Sequence, residues 1–346
     1  MPNETDITET NDSTASSLQA MEKLVFSLPV DHDGTSIYVK GWHKEGNNGF
    51  PIIIIHDFGE TISNHRVVCQ LLAESGHNVY AFDLRGHGRS GKNKSQPAKI
   101  RTYVNDLLQI SAWVKHQEKN RIPIILANGI GGKIALAFCQ KHPNFCKGIV
   151  LAAPVTQLKN ELSEFKFTLI KIANEFFPLA KLPRFLVPKI YENKLSADSE
   201  KSLLKPQLPL FTISLTLEIL KKIRSTKIAA LSYSAPILIL CPEDDHICNY
   251  KKLKKYVAMH ERHNLRLIDL PNCGHNIFTD DSGSIQVAMG HIKQWLKDFP
   301  GIEGQLANRQ TDMETPTEGG GETSMLRPGT TKKPLIQEST SNIDEL

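Results

Sequence analysis

The 346-residue chain is predicted to fold as an α/β protein with a mostly parallel, doubly wound sheet of eight strands. Three observations point there. Short, uniformly apolar runs recur along the chain, helical stretches separate them, and a glycine-rich turn leads one such run into a helix. A strand buried on both faces loses the alternation of a half-wet sheet. Strands alternating with helices imply a parallel sheet whose binding crevice lies beyond the strands' carboxyl ends.

The elements follow in order. Leu24 to Leu28 and Ser36 to His43 flank the turn-forming cluster Asp31-His-Asp-Gly34 and read as an antiparallel hairpin. Pro51 to His56 is apolar at nearly every position and reads as a central strand. Further strands are expected at Asn78 to Asp83, Pro123 to Asn128, Gly148 to Ala153, Pro236 to Cys241 and Leu265 to Leu270. Helices are expected near 62–75, 100–118, 131–141, 250–261 and 284–299. Residues 156–232 interrupt the alternation after the sixth strand. There Leu162, Phe165, Leu169, Ile172 and Phe176 recur at helical spacing, which predicts a helical cap over the crevice; ordinary amphipathic helices would show the same spacing.

The expected organisation is therefore a core of residues 23–155 and 233–302 with a cap at 156–232, between two disordered tails at 1–22 and 303–346. The first tail carries five acidic residues and no basic ones, and the second contains Gly319-Gly-Gly321 among many threonines. Neither composition can bury enough apolar surface to order itself. The tails sum to about −9, so residues 23–302 carry about +13 against +4 for the whole chain. That surplus favours anionic partners such as lipid headgroups or acidic ligands, although a solvated lysine-rich surface reads the same way. No nucleic-acid module accompanies it.

Six cysteines show no disulfide or zinc spacing, so reduced thiols are expected, and neither a metal constellation nor a dinucleotide fingerprint implies a cofactor. The first residues lack a basic start and an apolar stretch of about 7–15 residues, and no segment approaches the ~20 apolar residues of a membrane span. A cytoplasmic location is expected, with peripheral membrane contact through the cap, where Phe165, Phe167, Phe176, Phe177, Phe185 and Phe211 lie among basic residues.

The turn Ala127-Asn128-Gly129-Ile130-Gly131 has the strand-turn-helix setting of the nucleophile elbow G-x-S-x-G, with glycine where the serine would stand. Around it, His56-Asp57-Phe58-Gly59-Glu60, the block Tyr80-Ala-Phe-Asp83-Leu-Arg85-Gly-His-Gly-Arg-Ser90-Gly91 and Gly148 to Pro154 resemble the α/β-hydrolase superfamily. Within it the likeness is to the monoacylglycerol lipase, lysophospholipase and serine aminopeptidase group, over roughly residues 24–300, with Leu195-Ser-Ala-Asp198 resembling that group's lid.

The resemblance implies a triad in the order Ser, Asp, His. Gly129 takes the nucleophile position, Asp245 in the loop Pro242-Glu-Asp-Asp-His246 the acid position in preference to Asp244, and His275 that of the base. It also implies an oxyanion hole formed by the backbone N–H groups of Phe58 and Ile130. The family usually has His-Gly where this chain has His56-Asp57; if Asp57 points inward, its carboxylate weakens the hole. The block from Asp83 to Gly91 is read as a tight turn held by polar contacts.

Loss of the serine from a triad costs roughly 10⁶-fold in turnover. The expectation is therefore an impaired pseudo-hydrolase that binds a lipid-like or small ester ligand. The alternative is an active ester hydrolase of lipase or lysophospholipase type, using water activated by His275 and Asp245 or a substitute nucleophile such as Cys273.

Overall fold

A computed structural model of the protein describes residues 24–30, 34–90, 99–159, 162–180, 212–225, 235–259, 264–278 and 283–299. Strands β1 (Leu24–Val30) and β2 (Thr35–Trp42) pair antiparallel, as the turn cluster between them requires. Then come β3 (Ile52–Ile55), a 3₁₀ turn (Ile62–His65) running into α1 (Arg66–Glu74), β4 (Val79–Phe82), α2 (Ile100–Gln117), β5 (Ile124–Asn128), α3 (Gly131–Lys141) and β6 (Gly148–Ala152). Helices α4 (Glu164–Phe176) and α5 (Ile213–Ser225) follow and pack on each other before the sheet resumes. It continues with β7 (Ile237–Pro242), α6 (Lys251–Met259), β8 (Leu265–Leu270) and α7 (Ser284–Lys297).

The eight strands lie in the order β1-β2-β4-β3-β5-β6-β7-β8. Contacts of β2 with β1 and β4 are antiparallel, and all others are parallel. Every residue of β3 to β7 is buried, and burying each isoleucine of β3 contributes roughly 1.5–3 kcal/mol. Helices cover both faces because both are apolar.

From β3 the chain steps to β4 on one side and then returns to lay β5, β6, β7 and β8 on the other. The winding reverses between β3 and β5, where a doubly wound sheet opens its crevice. The register aligns Ile55 with Ala127, so Asp57 and Gly129, each two residues further on, leave the sheet side by side. This alignment of two parallel strands places the candidate site.

Phe165, Leu169, Ile172 and Phe176, four of the five residues whose spacing predicted a helix here, lie on α4. Phe165, Ile172 and Phe176 are 73%, 53% and 71% exposed, whereas Phe167 and Ile170 on the other side of α4 are buried. The helix has two apolar faces, and helical spacing identifies such a face without saying which one meets the core. Leu195–Asp198, Phe185, Phe211, Gly91 and both tails lie outside the described residues. Among those described, no helix is long and apolar enough to cross a membrane.

Candidate active site

Four strands deliver the site. β3 ends in His56-Asp57-Phe58, β5 in Gly129, β7 in the loop holding Asp245, and β8 in the loop holding His275. Asp57, Asp245 and His275 are all buried.

Gly129 sits in the turn between β5 and α3 with φ +52°, a left-handed conformation that glycine adopts without cost. Its N–H donates to Ala152 O at 3.0 Å and its carbonyl accepts from Gly132 N at 3.2 Å. Gly131 is needed for a different reason: a Cβ there would lie 2.8 Å from His56 O and 3.0 Å from Ile55 Cγ2, so α3 can approach β3 only through a glycine.

Asp245 and His275 come together as the sequence suggested. His275 Nδ1 lies 2.8 Å from Asp245 Oδ2. Asp245 Oδ1 accepts from the N–H groups of Ile247 (2.8 Å) and Cys248 (2.9 Å), while Tyr250 donates its hydroxyl to Oδ2 at 2.5 Å. Burial pushes the Asp245 carboxyl up, but the bonds from His275, Tyr250 and the backbone outweigh it and hold the group below the ordinary carboxylate range. Asp244 is not drawn in this way; its N–H donates to Cys273 O.

Asp57 points inward. Its Oδ1 accepts from Phe58 N at 2.7 Å and from Ile130 N at 2.8 Å, the two groups assigned above to an oxyanion hole. Its Oδ2 lies 3.5 Å from His275 Nε2, an ion-pair distance on the opposite side of the ring from Asp245. A Cβ built on Gly129 would fall within the van der Waals envelope of the Asp57 Cγ and both its oxygens. Burial disfavours charge on His275, yet the two carboxylates reverse this and raise its pKa well above the ordinary histidine value. The site therefore favours the charged form of His275, held between the carboxyl groups of Asp245 and Asp57.

Glu60 anchors the loop after β3. Its Oε2 accepts from Asp57 N (2.9 Å) and Asn128 Nδ2 (3.2 Å) and lies 2.9 Å from His65 Nε2. His56 Nε2 accepts from Leu84 N at 2.9 Å, so its Nδ1 carries the proton donated to Asp57 O at 2.7 Å. Burial lowers its pKa to about 4, consistent with this neutral tautomer.

The Asp83 to Ser90 block is a turn built around one carboxylate. Asp83 Oδ1 accepts from Ile62 N and Oδ2 from Arg89 N, each at 2.8 Å, and the Ser90 hydroxyl donates to Asp83 O at 2.6 Å. Arg85 clamps Asp106 through two bonds, at 2.9 and 2.6 Å.

Sequence reasoning overlooked Cys248, Tyr250 and Glu60. Cys248 Sγ lies 3.9 Å from His275 Nδ1, whereas Cys273, the thiol suggested by its nearness in sequence, turns to the Gly274 carbonyl at 3.6 Å. Burial raises the Cys248 pKa, so it is a thiol rather than a thiolate. Asp245, Cys248 and His275 hold ligand-type atoms within 4.8 Å of one another. Asp245 already accepts four hydrogen bonds, which uses the lone-pair capacity a cation would need.

The serine aminopeptidase, S33 family profile matches residues 50–282, and the chain belongs to this family. The rat monoglyceride lipase is 24% identical over 229 residues, which are 64% of this chain and 74% of that protein. The human monoglyceride lipase is 23% identical over 226 residues, again covering 64% and 74% of the two chains. Among solved structures, a soluble variant of the Saccharomyces cerevisiae monoglyceride lipase bound to a substrate analog shares the fold, with TM-score 0.65, 18% identity and coverage of 80% of this chain and 95% of that one. Fold and family are those of an α/β-hydrolase of the monoglyceride lipase type.

Proposed function

We propose that this chain is a catalytically impaired member of the family, which uses its crevice and cap to bind a lipid-like or small ester ligand. The supporting observation is the turn after β5: Gly129 offers no hydroxyl, and the group facing His275 Nε2 there is the Asp57 carboxylate. A nucleophilic serine needs a neutral imidazole to take its proton, and His275 is held protonated. The same fact weighs against water activated by His275 and Asp245, because the base is already occupied. With monoacylglycerol and short p-nitrophenyl esters, the unmodified protein is expected to show no turnover that His275→Ala abolishes. A measurable rate that disappears in His275→Ala would establish the alternative, an active ester hydrolase.

The cap supports a second part of the reading, docking on a membrane surface. Phe165, Ile172, Phe176, Phe177 and Leu179 are more than half exposed, a cluster of the kind that inserts at a lipid interface. On α4 itself Lys166 and Lys171 are matched by Glu164 and Glu175, so apolar insertion is this helix's larger contribution and salt should weaken binding only in part. The protein is expected to sediment with vesicles containing anionic lipid. The double substitution Phe165→Glu/Phe176→Glu should cut partitioning roughly a hundredfold, at ~1.5 kcal/mol per phenylalanine withdrawn. Unmodified protein left in the supernatant at low salt would end this part of the proposal.

A further inference from the structure

Two departures from the resembled pattern, aspartate at 57 and glycine at 129, are 72 residues apart in sequence but meet in one volume. Asp57 Cγ occupies the space into which any side chain on residue 129 would project. Its Oδ1 takes both backbone donors that would hold a developing oxyanion, and its Oδ2 faces the imidazole that would serve as base. Chemically this is the arrangement that the free acid released by ester cleavage would take: one carboxylate oxygen on the paired N–H donors, the other on the imidazolium.

We propose that Asp57 is an internal ligand of this site, a carboxylate built into the chain that keeps the crevice centre in a product-like state. The proposal deepens the reading of an impaired hydrolase. In this view the changes at 57 and 129 form one coupled replacement, since a larger residue 129 and an inward Asp57 cannot share the space. The specificity of the crevice follows. Because Asp57 satisfies both donors, a bound lipid makes its contacts without its carbonyl in the hole, so an ester and the corresponding alkyl ether bind alike.

Two consequences can be separated by experiment. Gly129→Ser alone forces a side chain into the space that Asp57 fills, so the hydroxyl is badly seated and the carboxylate still competes for the donors and the base. Asp57→Gly/Gly129→Ser frees both. Loss of one oxyanion donor costs roughly 10²–10³-fold, so a fluorophosphonate should label the double variant at least roughly 10²-fold faster than the single one. In that reaction an O–P bond forms, the P–F bond breaks with fluoride leaving, and His275 takes the hydroxyl proton, so adding His275→Ala should abolish labelling. A thermal melt establishes that each variant is folded.

Equal labelling of the single and double variants would overturn the proposal, and so would a folded double variant that stays unlabelled. Imidazole NMR provides a second readout that needs no added nucleophile. The His275 resonance should titrate well above the ordinary histidine range in the unmodified chain and at lower pH in Asp57→Gly, as loss of a neighbouring carboxylate requires; an unchanged titration would also overturn it. Turnover by the unmodified chain, measured separately, decides the impaired-hydrolase reading, so the two readings fail on different results.

Discussion

Stability is expected to peak near pH 6.5 and to fall by roughly 4 kcal/mol by about pH 5. The cause is a pair of buried histidines at the carboxyl end of the sheet. Burial lowers His56 to about 4 and His87 to about 3, so both stay neutral in the fold while the unfolded chain protonates them near the ordinary histidine value of about 6.5. Stability tied to a lowered pKa is present above the unfolded value and is lost as pH falls toward the folded one. Each group contributes about 1.36 kcal/mol per unit, or roughly 2 kcal/mol between about pH 6.5 and 5. His43 and His77 are also lowered by burial and act in the same direction. Burial raises Asp83, which offsets part of the loss. His275 sets the alkaline side: its raised pKa gives stability that is complete below about 6.5 and lost as pH climbs through the folded value. Denaturant midpoints at about pH 5, 6.5 and 8 would show the peak, and His87→Leu should flatten the acid limb. A flat profile on the acid side would contradict the assignment of buried neutral histidines.

The sheet was legible in the sequence because its strands are apolar at every position. Ile52–Ile55 and Gly148–Ala152 can only be central, and α3 begins within the glycine-rich turn, at Gly131. Asp245 and His275 were legible too, since each follows such a strand. What the sequence concealed lies across the chain. That Asp57 points at Gly129 depends on the register of β3 against β5, and no local pattern encodes it. Cys248 escaped notice for a similar reason. It reaches His275 because its segment bridges to Leu158 beside the sheet, while Cys273, nearer in sequence, turns to its neighbour's carbonyl. Which apolar side of α4 is exposed was not legible, because helical spacing cannot rank Phe165, Ile172 and Phe176 against Phe167 and Ile170. Periodicity reports amphipathicity, and tertiary packing chooses the face.

Gly129→Ala is expected to destabilise the protein by roughly 2–5 kcal/mol, from about 1–2 for an alanine held in the left-handed region and about 1–3 for overpacking against Asp57. For an ordered region of this size that corresponds to a melting temperature lower by roughly 4–20 °C, at about 2–4 °C per kcal/mol. Asp57→Gly alone should also be costly, on the order of 3–5 kcal/mol, because it leaves the buried His275 cation short of one counter-charge. The informative quantity is the coupling. With Asp57 gone the steric cost of an alanine methyl at position 129 disappears and only its backbone cost remains, so the double variant should be more stable than the summed single effects by roughly 1–3 kcal/mol. Thermal or denaturant unfolding of the four proteins gives this value directly. Costs that add to within about 0.5 kcal/mol would mean that the carboxylate leaves the space above Gly129 when that space is needed. A serine at this position would then require no change at Asp57, and the two departures would be independent. A positive coupling would instead tie them together, so that neither position could revert alone without passing through a poorly packed site.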